Sequence, residues 1–362
     1  MSDLSTSRML QMYMDEAEAP SFFASFFRSP PRNFHTTEFV ELDIVRDDED
    51  VAVVVQDLTA GGRENVASVY TNKQFKPPIF KEVGSIDSFS LIRRAPGQDP
   101  FQDPNYAANA AEESFAVFRK FERKIRRSIE WMAAQVLQTG QLTLIDSGGV
   151  ALYALNFQPK ATHVATVGTV WATDGSTGNP IADIEALAEV VTTDGKLPAT
   201  DLVFGNSALQ RFLANADVKA RLFTNSNSLN MGQMSPQRRG GAVQQGFIWI
   251  GNHLFRIWSY RKTFKHPQTG NPTPYLATDK MLMLSEGARL DLSFGAIPML
   301  RRPDAAAMAF LPPRMSSAEL GLDLSINAWF TPDGEHLKVS AGTRPLTIPT
   351  AIDTFASLDV VP

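Results

Sequence analysis

Residues 112–137 place an apolar side chain at every third or fourth position, and this spacing constrains the fold more than any other stretch of the sequence. At 100° per residue these positions fall on one face, so the segment is predicted to be an amphipathic helix roughly 39 Å long. Glu112 and Glu113 at its start favour the helix dipole. The apolar positions are Phe115, Phe118, Phe121, Ile125, Ile129, Met132 and Val136. The basic positions on the other side are Arg119, Lys120, Arg123, Lys124, Arg126 and Arg127.

The segment before this helix predicts a long two-stranded excursion. Apolar and polar residues alternate from Phe39, and four consecutive acids at 47–50 then form a turn. The acids lack the alternating ligands and central glycine of a calcium loop, which favours a solvated turn. Gly61 and Gly62 bend the chain, since glycine adopts positive φ without steric cost. A two-stranded arm beside a long helix is poorly suited to form an active site. It is well suited to bind a neighbouring copy of the same chain.

An aromatic cluster near the N-terminus has two interpretations. Phe22, Phe23, Phe26 and Phe27 are too apolar together to lie in water. They either dock on the chain's own core or form part of an arm that docks on an adjacent subunit. The sequence leaves both alternatives open.

The rest of the chain mixes short strands and helices, which predicts an α+β fold. A hairpin is expected around residues 146–149, and a second hairpin turns at Gly251 and Asn252. Pro180 is predicted to open a helix that runs to about residue 191. Asn206 is predicted to cap another helix running to about residue 223, with Leu209, Phe212 and Leu213 facing inward. Further strands are predicted at 202–204, 281–284, 328–330, 337–339 and 346–348.

Residues 224–246 form a long polar segment that predicts a mobile or functional loop. Arg238 and Arg239 within it, followed by two glycines, are the best candidates for a phosphate or nucleic-acid contact. The alternative is a flexible loop whose charges are simply solvated.

Composition excludes several classes of function. The 362 residues contain no cysteine, so disulfides and thiolate chemistry are excluded. The net charge of −5 does not favour free-standing nucleic-acid binding. The N-terminus lacks a signal-peptide pattern, and no run reaches the ~20 apolar residues of a membrane span. The five histidines do not show metal-site spacing, and no phosphate-binding or nucleophile motif is present. We therefore expect no catalytic residue, no metal and no cofactor.

The order of these elements resembles the lambda-type major capsid proteins of tailed bacteriophages, the protein E family. The resemblance is carried by the aromatic segment 22–28, the loop ending at 75–80, Arg93 and Arg94 before Asp-Pro, the long helix, and the stretch 344–349 near the C-terminus. It implies the Hong Kong-97-type capsid fold. The implied division is an N-terminal arm at 1–45, an extended loop at 46–95, a peripheral domain at 96–167, an axial domain at 168–314, and a return to the peripheral domain at 315–362.

The resemblance implies a major head protein that self-assembles into hexamers and pentamers of an icosahedral procapsid. That shell would expand and enclose double-stranded DNA without sequence-specific binding. The implied partners are other copies of the chain and scaffold, portal and decoration proteins, with assembly in the host cytoplasm. A mixed α/β enzyme and another virion protein, such as a decoration or tail subunit, remain the alternatives. The candidate subunit-interface residues are Phe22, Phe23, Phe26, Phe27, Gly61, Gly62, Arg63, Val66, Val69, Phe75, Phe80, Arg119, Arg123, Arg127, Arg238 and Arg239.

Overall fold

The computed structural model describes most of the chain in ten stretches. Predictions for the acidic turn at 47–50, for Gly61, Gly62, Arg63, Val66 and Val69, and for Arg93 and Arg94 lie outside them. The described residues are 19–30, 33–35, 37, 39–44, 71–87, 106–146, 148–220, 237–297, 324–333 and 335–361.

Helix α1 spans Tyr106–Thr139 and is longer at both ends than the predicted 112–137. Four alanines among residues 107–111 carry the helix toward the N-terminus, because alanine has the highest helix propensity. The first turn therefore holds no acid, and the predicted dipole role of Glu112 and Glu113 is wrong. Gly140 follows the helix with φ 63°, and its N–H donates to the Val136 carbonyl at 2.8 Å.

The predicted apolar stripe of α1 is confirmed as core. Six of its seven members are buried, and Phe115 packs half-buried against the same cluster. Gly84 lies opposite this stripe, where an added Cβ would come within 2.8 Å of the Phe121 ring. A three-stranded sheet thus packs closely on the helix at this point.

Helix α2 spans Pro180–Gly195, with the predicted proline in its first turn. The Asn179 side chain accepts a hydrogen bond from the Ala182 N–H at 3.2 Å. Lys196 ends the helix in the left-handed conformation, φ 57°.

Helix α3 spans Asn206–Ala214, and Gly205, not Asn206, occupies its N-cap. The predicted cap is wrong because the chain here lies against residues 277–278. A Cβ on Gly205 would come within 2.2 Å of the Ala277 carbonyl oxygen. Leu209 and Phe212 are buried as predicted, whereas Leu213 is exposed.

A seven-stranded sheet forms the centre of the described structure. Its strands, in the order in which they pair, are β6 (Val164–Thr166), β18 (Phe355–Asp359), β13 (Lys280–Ser285), β7 (Ala199–Phe204), β10 (His253–Ser259), β9 (Ala242–Ile250) and β8 (Arg238–Arg239). The pairs β7–β10 and β6–β18 are parallel, and the other neighbouring pairs are antiparallel.

The two faces of this sheet belong to two different hydrophobic clusters. Leu202 and Phe204 pack with α2 and α3, whereas Val203 between them packs on the α1 side. This alternation follows from the two-residue period of a strand. Strand β18 lies inside this sheet, between β6 and β13. The predicted division of the chain into domains stays a prediction.

The remaining strands form small sheets around α1. Strand β16 lies between β15 and β3, and β1 pairs with β2, β4 with β5, β11 with β12 and β14 with β17. Both predicted hairpins, around 146–149 and at Gly251 and Asn252, are confirmed. These strands are β1 (Val40–Ile44), β2 (Thr71–Phe75), β3 (Phe80–Asp87), β4 (Gln141–Ile145), β5 (Ala151–Asn156), β11 (Thr263–Lys265), β12 (Pro272–Pro274), β14 (Asp291–Phe294), β15 (Ser325–Phe330), β16 (His336–Thr343) and β17 (Pro345–Ile348).

Candidate subunit interface

The base of the predicted excursion is an antiparallel ladder. Strands β1 and β2 pair from Val40 opposite Phe75 to Ile44 opposite Thr71. The chain therefore leaves the ladder after Ile44 and re-enters it at Thr71, as expected for the base of a two-stranded arm. The arm itself lies outside the described residues.

Phe75 and Phe80 mark the return of this arm to the body of the protein. Phe75 is buried, and its ring centroid lies 5.9 Å from that of Phe157. Because Val40 opposite it is also buried, the base of the ladder is anchored in the chain's own core. Phe75 is thus covered within its own chain, and its role as an interface candidate stays a prediction. Phe80 is half-buried at the start of β3 and packs against the same core.

Arg344 fixes the segment between these two phenylalanines. Its side chain is 2% exposed and donates to the carbonyl oxygens of Ala296 at 2.9 Å and Pro77 at 3.3 Å. A planar guanidinium can donate in several directions at once, so it bridges two chain segments. The 344–349 stretch thereby holds the root of the arm in place.

The N-terminal aromatic cluster docks on the chain's own core. Phe22, Phe23 and Phe27 are buried, and Phe26 is half-buried against the same cluster. The ring of Tyr260 lies 5.5 Å from that of Phe22 and 4.8 Å from that of Phe23. Of the two alternatives that the sequence left open, the structure shows docking on the chain's own core. The buried phenylalanines are covered within their own chain, and their role as interface candidates stays a prediction.

A buried carboxylate holds this segment, and the sequence analysis missed it. Glu130 on α1 is 0% exposed and accepts hydrogen bonds from the Phe23 N–H at 2.9 Å and the Ala24 N–H at 2.8 Å. The Tyr260 hydroxyl donates to the same carboxylate at 2.7 Å. Burial raises the pKa of Glu130, against the opposing effect of these hydrogen bonds. The only signal in the sequence is an acid between Ile129 and Trp131, where an apolar neighbourhood is expected.

The basic face of α1 is exposed, and part of its charge is neutralised within the chain. Lys124 pairs with Glu82 of β3 at 2.8 Å, and Arg126 approaches Glu122 at 3.7 Å. The Arg119 guanidinium lies 5.5 Å from the centroid of the Phe115 ring. Lys120 and Arg127 are exposed. The predicted separation of apolar and basic faces is confirmed, and a contact of this face with a partner remains a prediction.

Arg238 and Arg239 belong to a strand rather than to a loop. They form β8, which pairs with β9 across Gly240 and Gly241, whose φ values of 53° and 95° fit a tight turn. The Arg239 guanidinium lies 5.0 Å from the centroid of the Phe26 ring and donates to the Ser25 carbonyl at 3.4 Å. Arg239 therefore contacts the N-terminal segment, and both arginines are exposed.

Several large apolar side chains are exposed, and the sequence analysis did not single them out. Trp249 and Leu254 face each other across the β9–β10 hairpin and are 53% and 43% exposed. Ile79, 63% exposed, lies just before β3. Val83 on β3 and Val150 and Leu152 at the β4–β5 hairpin are also exposed. Exposed apolar patches of this kind are typical of surfaces that other proteins cover.

The described residues show little that resembles a catalytic or metal centre. Among them, no group of three or more histidine, aspartate and glutamate side chains is placed to hold a metal ion. His163 is buried between the Phe355 carbonyl at 2.9 Å and Asp194 at 3.0 Å, which is a structural position. None of the helices in the described stretches combines the length and apolarity needed to cross a bilayer.

Comparison with known proteins identifies the family. A family model described as phage major capsid protein E matches residues 5–360. No curated protein matches the chain in sequence. The fold is similar to that of a candidate capsid protein of an Escherichia coli CFT073 prophage, with a TM-score of 0.59 at 15% identity over 99% of this chain and 98% of that one.

A phage-related protein from Bordetella bronchiseptica RB50 is also similar in fold, with a TM-score of 0.50 at 8% identity over 96% of this chain and 95% of that one. At such identities the likeness concerns the fold alone, and the predicted α+β fold of Hong Kong-97 type is confirmed. Because the family model extends over nearly the whole sequence, the chain belongs to the phage major capsid protein E family.

Proposed function

We propose that this capsid protein assembles into hexamers and pentamers of an icosahedral procapsid, which then expands and encloses double-stranded DNA. The family match over residues 5–360 carries the proposal. In such a shell many modest contacts, repeated by closed symmetry, produce a strong assembly. The role is structural, and no enzymatic activity is part of it.

The arm that leaves through the β1–β2 ladder is the main proposed contact with a neighbouring subunit. Its base is rigid, because Val40 and Phe75 are buried and Arg344 holds Pro77. A rigid base fixes the direction of the arm, which lowers the entropic cost of docking. Gly61, Gly62, Arg63, Val66 and Val69 would lie on this arm and make the contact. Ile79, exposed beside its root, would extend the same apolar surface.

Two further surfaces are proposed as contacts. The Trp249–Leu254 pair at the tip of the β9–β10 hairpin would meet the same region of adjacent subunits around a hexamer or pentamer. The basic face of α1, with Arg119, Arg123 and Arg127, would meet acidic groups of a neighbour or of a scaffold protein. Exposed Arg238 lies at the other end of β9 from the β9–β10 hairpin tip and is proposed as a separate contact.

The proposed partners follow from this role. The protein would work with scaffold, portal and decoration proteins, and it would assemble in the host bacterial cytoplasm before becoming part of the virion. Its net charge of −5 suits a shell that encloses DNA without adhering to it.

Electron microscopy of the overexpressed protein, with and without a co-expressed scaffold, tests the proposal. We expect shells, or hexamers that close into shells when scaffold is supplied. A uniform small oligomer under both conditions would contradict it. The variant Trp249→Ser sharpens the test, since it should reduce shell yield while an equivalent change at an exposed residue outside the hairpin, Val164→Ser, should not.

A further inference from the structure

A cavity of about 260 Å³ lies where the N-terminal segment meets the central sheet. Its walls come from four parts of the chain: residues 25–28, strands β7, β8 and β10, the end of β13 with the turn that follows it, and Thr354 with Phe355. Three arginines, Arg28, Arg239 and Arg256, and two acids, Asp201 and Glu286, line it. The cavity thus gathers five charged side chains.

One of these arginines is already neutralised. Arg256 donates to both oxygens of the buried Asp201, at 2.8 and 2.7 Å, and to Glu286 at 3.0 Å. The Trp258 indole N–H holds the same Asp201 at 2.8 Å. This network forms a fixed wall of the cavity, and its two carboxylates are committed to Arg256.

The other two arginines keep their positive charge. In the described stretches, neither Arg28 nor Arg239 makes an ion pair. Arg239 is oriented by the Phe26 ring and by a long bond to the Ser25 carbonyl, neither of which neutralises it. The guanidinium is always protonated, so two unneutralised cations border the same space.

A buried hydroxyl supplies an independent sign of a missing ligand. Ser285 lines the cavity and is 3% exposed, and its Oγ has no hydrogen-bond partner in the described structure. Buried polar groups are nearly always hydrogen-bonded, so an orphaned hydroxyl at the wall of a cationic cavity indicates a group that binds there.

We propose that the cavity binds one carboxylate side chain of an acidic peptide from another polypeptide, held by Arg28, Arg239 and the Ser285 hydroxyl. Three arginines against two carboxylates leave a single positive charge, which a carboxylate balances. A phosphate group carries about −1.5 to −2 at neutral pH and would leave an excess of negative charge. This inference rests on the proposed function, since a shell subunit meets such peptides on its neighbours and partners.

The sequence offers one suitable peptide, the run of four acids at 47–50. The basic face of α1 is the competing receptor for it. That face is partly neutralised, because Lys124 and Arg126 have carboxylate partners within the chain. The cavity combines two unneutralised arginines with the orphaned Ser285 hydroxyl, so we assign an acidic peptide of a second copy to the cavity.

Binding of a labelled synthetic peptide to the full-length protein tests the proposal, at a concentration where sedimentation shows unassembled subunits. The probe covers residues 45–52, and a matched peptide replaces its four acids with the corresponding amides. We expect saturable binding of the acidic peptide alone. The double variant Arg28→Gln with Arg239→Gln should weaken binding at least tenfold, and Arg261→Gln, at an exposed arginine outside the cavity, should leave it unchanged.

Equal binding by the wild type and the double variant, or no binding by the wild type, would overturn the inference. So would displacement of the peptide by inorganic phosphate at concentrations where acetate has no effect. An unrelated peptide of equal charge shows which polypeptide supplies the carboxylate. If it binds more weakly than the 45–52 peptide, the ligand is a second copy of this chain; if it binds equally well, the cavity accepts acidic peptides in general. Electron microscopy of the same wild-type protein tests shell assembly separately from peptide binding. If the protein forms shells but does not bind the peptide, the cavity proposal is wrong and the proposed capsid function stands.

Discussion

At the scale of single residues, Glu130 decides where the N-terminal segment lies. Glu130→Ala would leave the Phe23 and Ala24 N–H groups and the Tyr260 hydroxyl buried without an acceptor, at about 1–3 kcal/mol for each group. We expect the free energy of unfolding to fall by about 3 kcal/mol or more. Urea unfolding measures it, with Glu122→Ala on the exposed side of the same helix as control. A loss below about 1 kcal/mol would show that the carboxylate does not hold the segment.

The same residue predicts a pH dependence. Burial raises the pKa of Glu130 above its ordinary 4.5, so the folded state binds this proton more tightly than the unfolded state. The resulting stabilisation is fully present below pH 4.5 and is lost as the pH rises through the raised pKa. The unfolding free energy of the wild type relative to Glu130→Gln should therefore decrease over that range. A difference that stays constant or increases with pH would contradict the raised pKa.

Phe121 tests the core at a single position. Phe121→Ala should cost about 2–5 kcal/mol, because the ring is buried and lies against Gly84. The neighbouring Lys120→Ala, at an exposed position, should change stability by less than about 0.5 kcal/mol. Chemical unfolding of both variants gives the comparison, and similar losses would mean that the two faces of the helix are not distinguished by burial.

At the scale of elements, the sequence predicted what depends on local periodicity. The face of α1, the hairpin at Gly251 and the start of α2 at Pro180 follow from spacing, turn chemistry and capping, which act within a few residues. The cap of α3 was missed because a distant segment at 277–278 determines it. The burial of Phe22 and Phe23 was left open because their partners, Glu130 and Tyr260, lie more than 100 residues away. Long-range partners are not visible in local patterns.

The basic face of α1 carries a prediction at this scale. Reversing the charge of Arg119, Arg123 and Arg127 together should leave the subunit folded but should lower procapsid yield. Because exposed charges are screened over ~8–10 Å at physiological salt, yield in the wild type should also fall as salt increases. Counting shells by electron microscopy across salt concentrations measures both effects. A normal yield of shells from the triple variant at every salt concentration would show that these three arginines do not contact a partner.

At the scale of the whole molecule, the described structure combines a packed body with the β1–β2 ladder, the base of the predicted arm. The body has cores on both faces of a seven-stranded sheet, with α1 on one side and α2 and α3 on the other. The arm is anchored at three places, Val40, Phe75 and the Arg344 contact with Pro77. We therefore expect that the body folds independently of the proposed contact between the arm and a neighbouring subunit.

A deletion within the predicted arm measures most directly whether the arm is needed for assembly but not for folding. Deleting residues 60–68 should leave the subunit soluble and folded, with a circular dichroism spectrum and unfolding temperature close to those of the wild type, because the β1–β2 base is untouched. Electron microscopy of the deletion variant beside the wild type, both with scaffold, then measures assembly. We expect folded subunits that form no shells. Normal shells from the deletion variant, or its unfolding, would contradict the claim that the arm joins neighbouring subunits.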